Sequence, residues 1–208
     1  WMVHSFPTRR SSDLEELNYV RTLALEIERI AIHTGDLSAI CGDIAFLIGN
    51  SVYGRLRTPI INFFQQWCGN RLAKGLIRPG RNNFAFTSEL QDIFLKILDA
   101  YEKDYLEMNS KFFHNPGSLS RLEKTGVFTT EQALGIGAVG MAARASGLNR
   151  DVRLTHPCCN YSGLFHTPIL KHHGDVLSRT QVRREEIMQS ISYIRYFLDE
   201  IPVPPNKE

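Results

Sequence analysis

Thr129-Thr130-Glu131-Gln132-Ala133-Leu134-Gly135-Ile136-Gly137-Ala138-Val139-Gly140-Met141-Ala142-Ala143-Arg144-Ala145-Ser146-Gly147-Leu148-Asn149-Arg150-Asp151-Val152-Arg153 is the stretch on which the reading of the chain turns. Thr129 followed by Gln132 has the spacing of a capping box, so the segment opens as a helix start. Glycines then fall among small apolar residues, which lets other backbone or a bound group approach closely. Residues 135–140 fit G-x-G-x-x-G. A dinucleotide site needs a strand before these glycines and an acidic residue about 20 positions after them. Here a helix start precedes them and the first acid, Asp151, comes 11 residues after Gly140. The stretch is therefore expected to be a close-packed joint in a helical protein rather than a nucleotide cradle.

Working outward, helical periodicity dominates. In residues 15–33 the apolar positions Val20, Leu23, Ala24, Ile27, Ile30 and Ala31 fall on one helix face, with Glu26, Glu28 and Arg29 among the rest. Thr34-Gly35-Asp36 reads as an interruption. Residues 37–67 are mostly apolar, with kinks expected at Gly49-Asn50 and Gly54, and Pro59 expected to open a new helix. Cys68-Gly69-Asn70 ends it, and Ile77-Arg78-Pro79-Gly80 is a turn. Ser88 with Gln91 suits another capping box, followed by a stripe from Leu90 to Met108. Asn115-Pro116-Gly117 breaks that run, with a short helix expected at residues 118–124. The chain loses periodicity after Arg153, read as loop or short strand. Gly174-Asp175 caps a last helix that buries Ile187, Met188, Ile191, Ile194, Phe197 and Leu198. The fold class is mainly α with minor extended segments.

Composition sets the bounds. Twenty-four basic and 22 acidic residues give a net charge of +2, too balanced to suggest a nucleic-acid partner. No apolar run approaches the roughly 18 to 20 residues of a membrane span. The four cysteines form no C-x-x-C pair and read as reduced thiols. Residues 1–14 resemble a translated sequencing adapter and are set aside as a non-native scar. Residues 15–202 are then one partial helical domain, residues 203–208 a tail, and the whole a piece of a longer protein, incomplete at both ends.

Two groups of residues invite chemistry. His156, Cys158, Cys159, His166, His172 and His173 are zinc-ligating types, but adjacent cysteines and adjacent histidines do not match the usual paired spacings, so loop residues without metal are expected. His33 ends an amphipathic helix and Asp43 follows in an apolar stretch, where a carboxylate is costly unless paired. The residues themselves favour an internal salt bridge from Asp43 to Arg55 or Arg57 over a proton-handling pair.

Several stretches together resemble the large subunits of nickel–iron hydrogenases and their relative, the 49-kDa (D-type) subunit of NADH:quinone oxidoreductase. These are Glu26-Ile27-Glu28-Arg29-Ile30-Ala31-Ile32-His33, Gly35-Asp36 through Cys41-Gly42-Asp43, Ile77-Arg78-Pro79-Gly80, and Glu131 through Arg153. The first two look most like energy-converting hydrogenases of the formate hydrogenlyase type. Arg81 stands where the family usually has a second glycine. The resemblance implies a helical core of the hydrogenase large-subunit-like fold, packed on a small iron–sulfur subunit and held peripherally, through membrane subunits, on the cytoplasmic side of the cell membrane. It implies electron transfer from that iron–sulfur neighbour to quinone or protons. His33 matches a histidine near the proximal cluster and Asp43 an acid behind the quinone-site histidine. These two are the candidate catalytic residues, with Arg78, Arg144, Asp151 and Arg153 as candidate cluster or interface contacts. The family's nickel–iron ligands, two C-x-x-C pairs, are missing, so this segment is expected to bind no metal or cofactor itself and to be inactive alone. The alternative is a helical assembly subunit that keeps the fold without an active centre. Elemental analysis of the purified chain is expected to show no stoichiometric nickel, iron or zinc; zinc near one equivalent would overturn the loop reading of the His/Cys group.

Overall fold

The computed structural model describes residues 11–200 apart from Gly80 and Phe165. Most of the segment set aside as a scar, and all of the tail, lie outside the described residues; residues 11–14 form the first backbone turn of the opening helix. In order, the elements are α1 (Ser11–Asp43), α2 (Leu47–Cys68), a hairpin of β1 (Ile77–Arg78) and β2 (Arg81–Asn82), α3 (Ser88–Phe113), α4 (Pro116–Leu122), α5 (Thr130–Gly135), α6 (Gly140–Ala145), α7 (Val152–Thr155), a 3-10 turn (Cys159–Gly163) and α8 (Val176–Glu200). The hairpin is antiparallel, with Ile77 opposite Asn82 and Arg78 opposite Arg81.

α1 buries the stripe from Leu17 to Ala31 and extends it through Leu37 and Cys41. It is not interrupted at Thr34-Gly35-Asp36, because tertiary contacts fill that place. The buried Thr34 hydroxyl lies 2.6 Å from both the Ile30 carbonyl and the Tyr101 hydroxyl. The Arg57 side chain of α2 lies across Gly35, so the glycine marks a helix contact rather than a break. α2 folds back along α1 after a short turn at residues 44–46 and is also a single helix. A Cβ on Gly49 would come within 2.5 Å of Phe46 and 2.7 Å of Cys41, and Asn50 Nδ2 donates to the Ser38 carbonyl at 2.9 Å. Here too the expected kink residues are close-contact residues. Pro59 sits inside α2. It and Arg55 are both exposed, so the carbonyl that Pro59 cannot serve faces outward.

α8 packs on α1, and α3 closes against α2 and α8. The core between them holds Ile27, Ile30, Ile60, Phe63, Phe94, Leu98, Tyr105, Ile187, Ile194 and Phe197. Phe63 and Phe94 pack with ring centroids 4.5 Å apart. The α3 cap is Thr87, one residue before the expected Ser88, and its side chain accepts from the Leu90 amide. Asn115 caps α4 with Pro116 in the first turn, so that helix begins two residues earlier than expected. Where loop or short strand was expected, residues 152–155 form a short helix and residues 159–163 a 3-10 turn, with irregular chain at residues 156–158 between them.

The capping box at Thr129 and Gln132 is present. The packing joint expected behind it is present only at Gly147, where a Cβ would lie 2.8 Å from the His172 ring; a Cβ on Gly135, Gly137 or Gly140 would meet nothing within 4 Å. Gly137, at φ +68°, turns the chain between α5 and α6. The tightest approach is at Gly174, φ +63°, where a Cβ would lie 2.0 Å from the Phe128 carbonyl oxygen. Gly174 and Phe128 are joined there by a backbone hydrogen bond, and Gly174 also donates to Ala145. Gly174→Ala should therefore cost roughly 3 kcal/mol or more in urea unfolding, whereas Gly137→Ala should cost about 1 kcal/mol, the left-handed backbone term alone. Equal costs would show that space at Gly174 is not limiting.

Candidate functional site

α1, α6, α7 and α8 meet around a buried set of charges. From α1 come Glu26, Arg29 and His33 at i, i+3 and i+7, a column beside the apolar stripe. α8 presents Glu186, Gln189, Ser190 and Tyr193 with the same helical spacing, facing α1. The segment from α6 to the 3-10 turn adds Arg144, Asp151, Arg153 and Tyr161, and His166 follows. Glu26 and Glu186 are fully buried, and Arg144, Asp151, Arg153 and His166 are nearly so.

Glu186 is the meeting point. His33 Nε2 lies 2.7 Å from one of its oxygens, Arg29 Nη1 lies 3.5 Å from that oxygen, and Arg144 Nε donates to the other at 2.9 Å. Burial alone pushes the Glu186 carboxyl up. The His33 hydrogen bond and the charges of Arg144, His33 and Arg29 outweigh burial and hold it at about 2, against 4.5 for a free glutamate. Asp151 is treated in the same way: burial raises it, while hydrogen bonds from His166 and Arg153 and the Arg153 charge bring it well below the usual carboxylate range. Arg153 donates to Asp151 at 2.8 Å and reaches Glu26 at 3.4 Å. His166 Nε2 lies 3.0 Å from Asp151, and its Nδ1 lies 2.8 Å from the Tyr193 hydroxyl. Glu26 accepts from the Tyr161 hydroxyl and, at 2.5 Å, from Ser190. Burial and the neighbouring Glu26 push the Tyr161 hydroxyl far up, so it stays a donor.

Three carboxylates thus face three guanidinium groups, and the formal charge closes. Buried ion pairs of this kind offset their desolvation only when geometry and extra hydrogen bonds are good, so stability alone is a weak reason for them. The network also borders a cavity of about 780 Å³ lined by Arg29, His33, Met141, Arg144, Asp151 and His156. An ionised Glu186 can only accept, so His33 presents Nε2–H to it. His33 Nδ1 is buried and has no partner among the described residues. The chemistry available is a histidine held by a carboxylate at the wall of a cavity rimmed by cations.

Of the residues singled out from sequence, His33, Arg144, Asp151 and Arg153 are brought together. Asp43 is not: it is the last residue of α1, exposed, and roughly 15 Å along the helix from His33. The salt bridge expected for it does not form; Arg55 pairs instead with Asp104 at 2.7 Å, and neither Asp43 nor Arg57 has an ion pair among the described residues. Arg78 lies exposed on the hairpin, where its carbonyl accepts from Arg21 Nη2 at 2.7 Å. The described residues hold no group of three His, Cys, Asp or Glu side chains placed for a metal ion. Glu26, Glu186 and Tyr161 escaped the sequence reading as site residues, and His166 entered it only among the zinc-ligating types. The signal for the first two was there: polar side chains repeating at helical spacing beside an apolar stripe.

The mainly helical fold is that of a subunit of a respiratory membrane complex. The fold matches a chain in the structure of the membrane-bound sulfane sulfur reductase, an archaeal respiratory membrane complex, with a TM-score of 0.83, 26% identity, and 93% of this chain and 52% of that chain covered. The chain belongs to the family of the respiratory-chain NADH dehydrogenase 49 Kd subunit, whose pattern matches residues 43–208. It is 30% identical to a D-type subunit of NADH-quinone oxidoreductase from Cytophaga hutchinsonii, over 92% of this chain and 49% of that protein. It is 32% identical to the C/D-type subunit of NADH-quinone oxidoreductase from Phocaeicola vulgatus, over 90% of this chain and 36% of that protein. The chain spans about half the length or less of these curated relatives. No helix among the described residues is long and apolar enough to cross a membrane.

Glu186→Gln should destabilise the protein by roughly 3 kcal/mol at neutral pH, since it leaves buried cations without their carboxylate. A carboxyl held at about 2 in the fold and 4.5 when unfolded contributes stability that is fully present above pH 4.5 and lost as pH falls toward 2. Urea unfolding of both proteins between pH 7 and pH 2 should show the gap closing in that window. A constant gap would place the effect elsewhere.

Proposed function

We propose that the chain is part of the catalytic large subunit of a membrane-associated redox complex, equivalent to the D-type subunit of NADH:quinone oxidoreductase. It would work beside a small iron–sulfur subunit, with membrane subunits holding it peripherally on the cytoplasmic side. Electrons would pass from the iron–sulfur neighbour toward quinone or protons. The observation that carries the reading is His33: pinned to Glu186, backed by Arg29 and Arg144, lining the cavity, and with a buried Nδ1 that has no partner among the described residues. The four cysteines of this chain supply no four-thiolate set, because Cys41 and Cys68 are buried in the apolar core. A cluster would therefore be held by the partner. When bound there it would supply one-electron transfer.

His33 and Asp43 have separate parts in this reading. His33 holds or passes a proton at the cavity wall through Nδ1, with Glu186 fixing the ring. Asp43, on the exposed end of α1, is free to meet a group from outside the described residues. The relatives are quinone oxidoreductases, which favours quinone over the nickel–iron alternative as electron acceptor.

In the complex isolated from membranes, His33→Ala and Asp43→Asn should each lower electron transfer to a soluble quinone analogue by about 10- to 100-fold, with the subunits still assembled. Hydrogen evolution from a reduced viologen, measured on the same preparation, separates the hydrogenase branch. Unchanged rates in both assays with both variants would leave the non-catalytic assembly role in its place.

A further inference from the structure

Away from the buried network, α2 and the turn that follows it enclose a second hollow of about 450 Å³. Its lining includes Arg57, Ile61 and Gln65 from one face of α2, and Asn70, Arg71 and Lys74 from the turn; no acidic residue lines it. The turn is firmly built. Asn70 Oδ1 accepts from the amides of Leu72 at 2.9 Å and Lys74 at 3.3 Å, and Gln65 Nε2 donates to the Gly69 carbonyl at 3.2 Å. Arg71 and Lys74 from the turn and Arg57 from α2 thereby line the same hollow.

Arg29, Arg55, Arg144, Arg153, Arg183 and Arg195 pair with carboxylates, and Arg21, Arg121, Arg150 and Arg179 donate to backbone carbonyls. Arg57, Arg71 and Lys74 have no side-chain hydrogen bond or ion pair among the described residues. The Arg57 stem crosses Gly35 of α1, and its Nε, buried there, has no partner among the described residues. Three like charges round one hollow repel one another until an anion enters. Guanidinium forks and an ammonium beside amide side chains suit a group with several oxygens.

We propose that this hollow is an anion site for a phosphate-bearing molecule, either a free phosphate ester or the headgroup of an anionic lipid. It depends on none of the redox reading, and the two succeed or fail separately.

Two probes distinguish the sources. The full chain is titrated calorimetrically with inorganic pyrophosphate, and separately sedimented with phosphatidylcholine vesicles that contain or lack phosphatidylglycerol. Binding is expected in at least one arm and should weaken as salt rises. Arg71→Gln combined with Lys74→Gln should reduce it by about tenfold or more. Lys103→Gln, an exposed cation on α3 outside this lining, should leave it within about twofold. Because Arg71 and Lys74 are exposed, the double variant should keep its thermal unfolding midpoint. Pyrophosphate binding assigns a soluble phosphate ligand; binding only to the anionic vesicles assigns a headgroup. No binding in either arm, or equal loss with Lys103→Gln, overturns the proposal.

Discussion

The structure depends on a single carboxylate with no access to solvent. Glu186 is carried on α8, yet its partners come from α1 and α6, so its ionisation fastens three parts of the chain that apolar contact alone would leave free to slide. Hydrophobic packing between helices sets their separation more strongly than their register. A carboxylate with His33 on one oxygen and Arg144 on the other fixes both. Asp151 repeats the device between α7 and the histidine beyond it, and Glu26 links α1 to α8 and to the 3-10 turn. Removing one member leaves charge stranded in a low-dielectric interior, which is why the set behaves as a unit.

This arrangement is costly where an apolar core would have sufficed. The apolar core lies elsewhere, between α1, α2, α3 and the later turns of α8; its aromatic rings interlock, and Tyr53, Tyr101 and Tyr105 each place their hydroxyl on a hydrogen-bond partner. The charges are confined to the side of α1 and α8 on which the short helices fall. There they border the larger cavity, and a histidine with one nitrogen pinned and the other without a partner among the described residues forms part of its wall. The cationic hollow at the end of α2 lies against a different helix and shares no residue with the network.

The glycine-rich segment shows how local sequence misleads and still informs. G-x-G-x-x-G suggested close approach, but Gly135, Gly137 and Gly140 face open space, and the left-handed backbone of Gly137 and Gly140 turns the chain between two short helices. That turn sends Arg144 inward and lets Asp151 and Arg153 follow. The glycine with the tightest contact, Gly174, was read as a helix cap. At Gly35 and Gly49 the sequence suggested breaks where the structure has helix crossings. In each case a glycine announces a special position, and only the neighbour decides whether the reason is backbone angle or space.

The sequence by itself determined the helices with clear periodicity, the capping box at Thr129, the stop at Gly69 and the helical class, because these follow from local spacing and from side chains reaching their own backbone. Through the likeness of its motifs it also pointed to His33, Arg144, Asp151 and Arg153. It did not determine that these four converge while Asp43 and Arg78 stand apart. Nor did it reveal that Glu26 and Glu186 are the buried acids they converge on. Charge at helical spacing looks the same whether solvent or another helix lies over it. What covers that face is a long-range fact, here residues more than 100 positions apart brought within hydrogen-bond distance, and only the tertiary structure decides it.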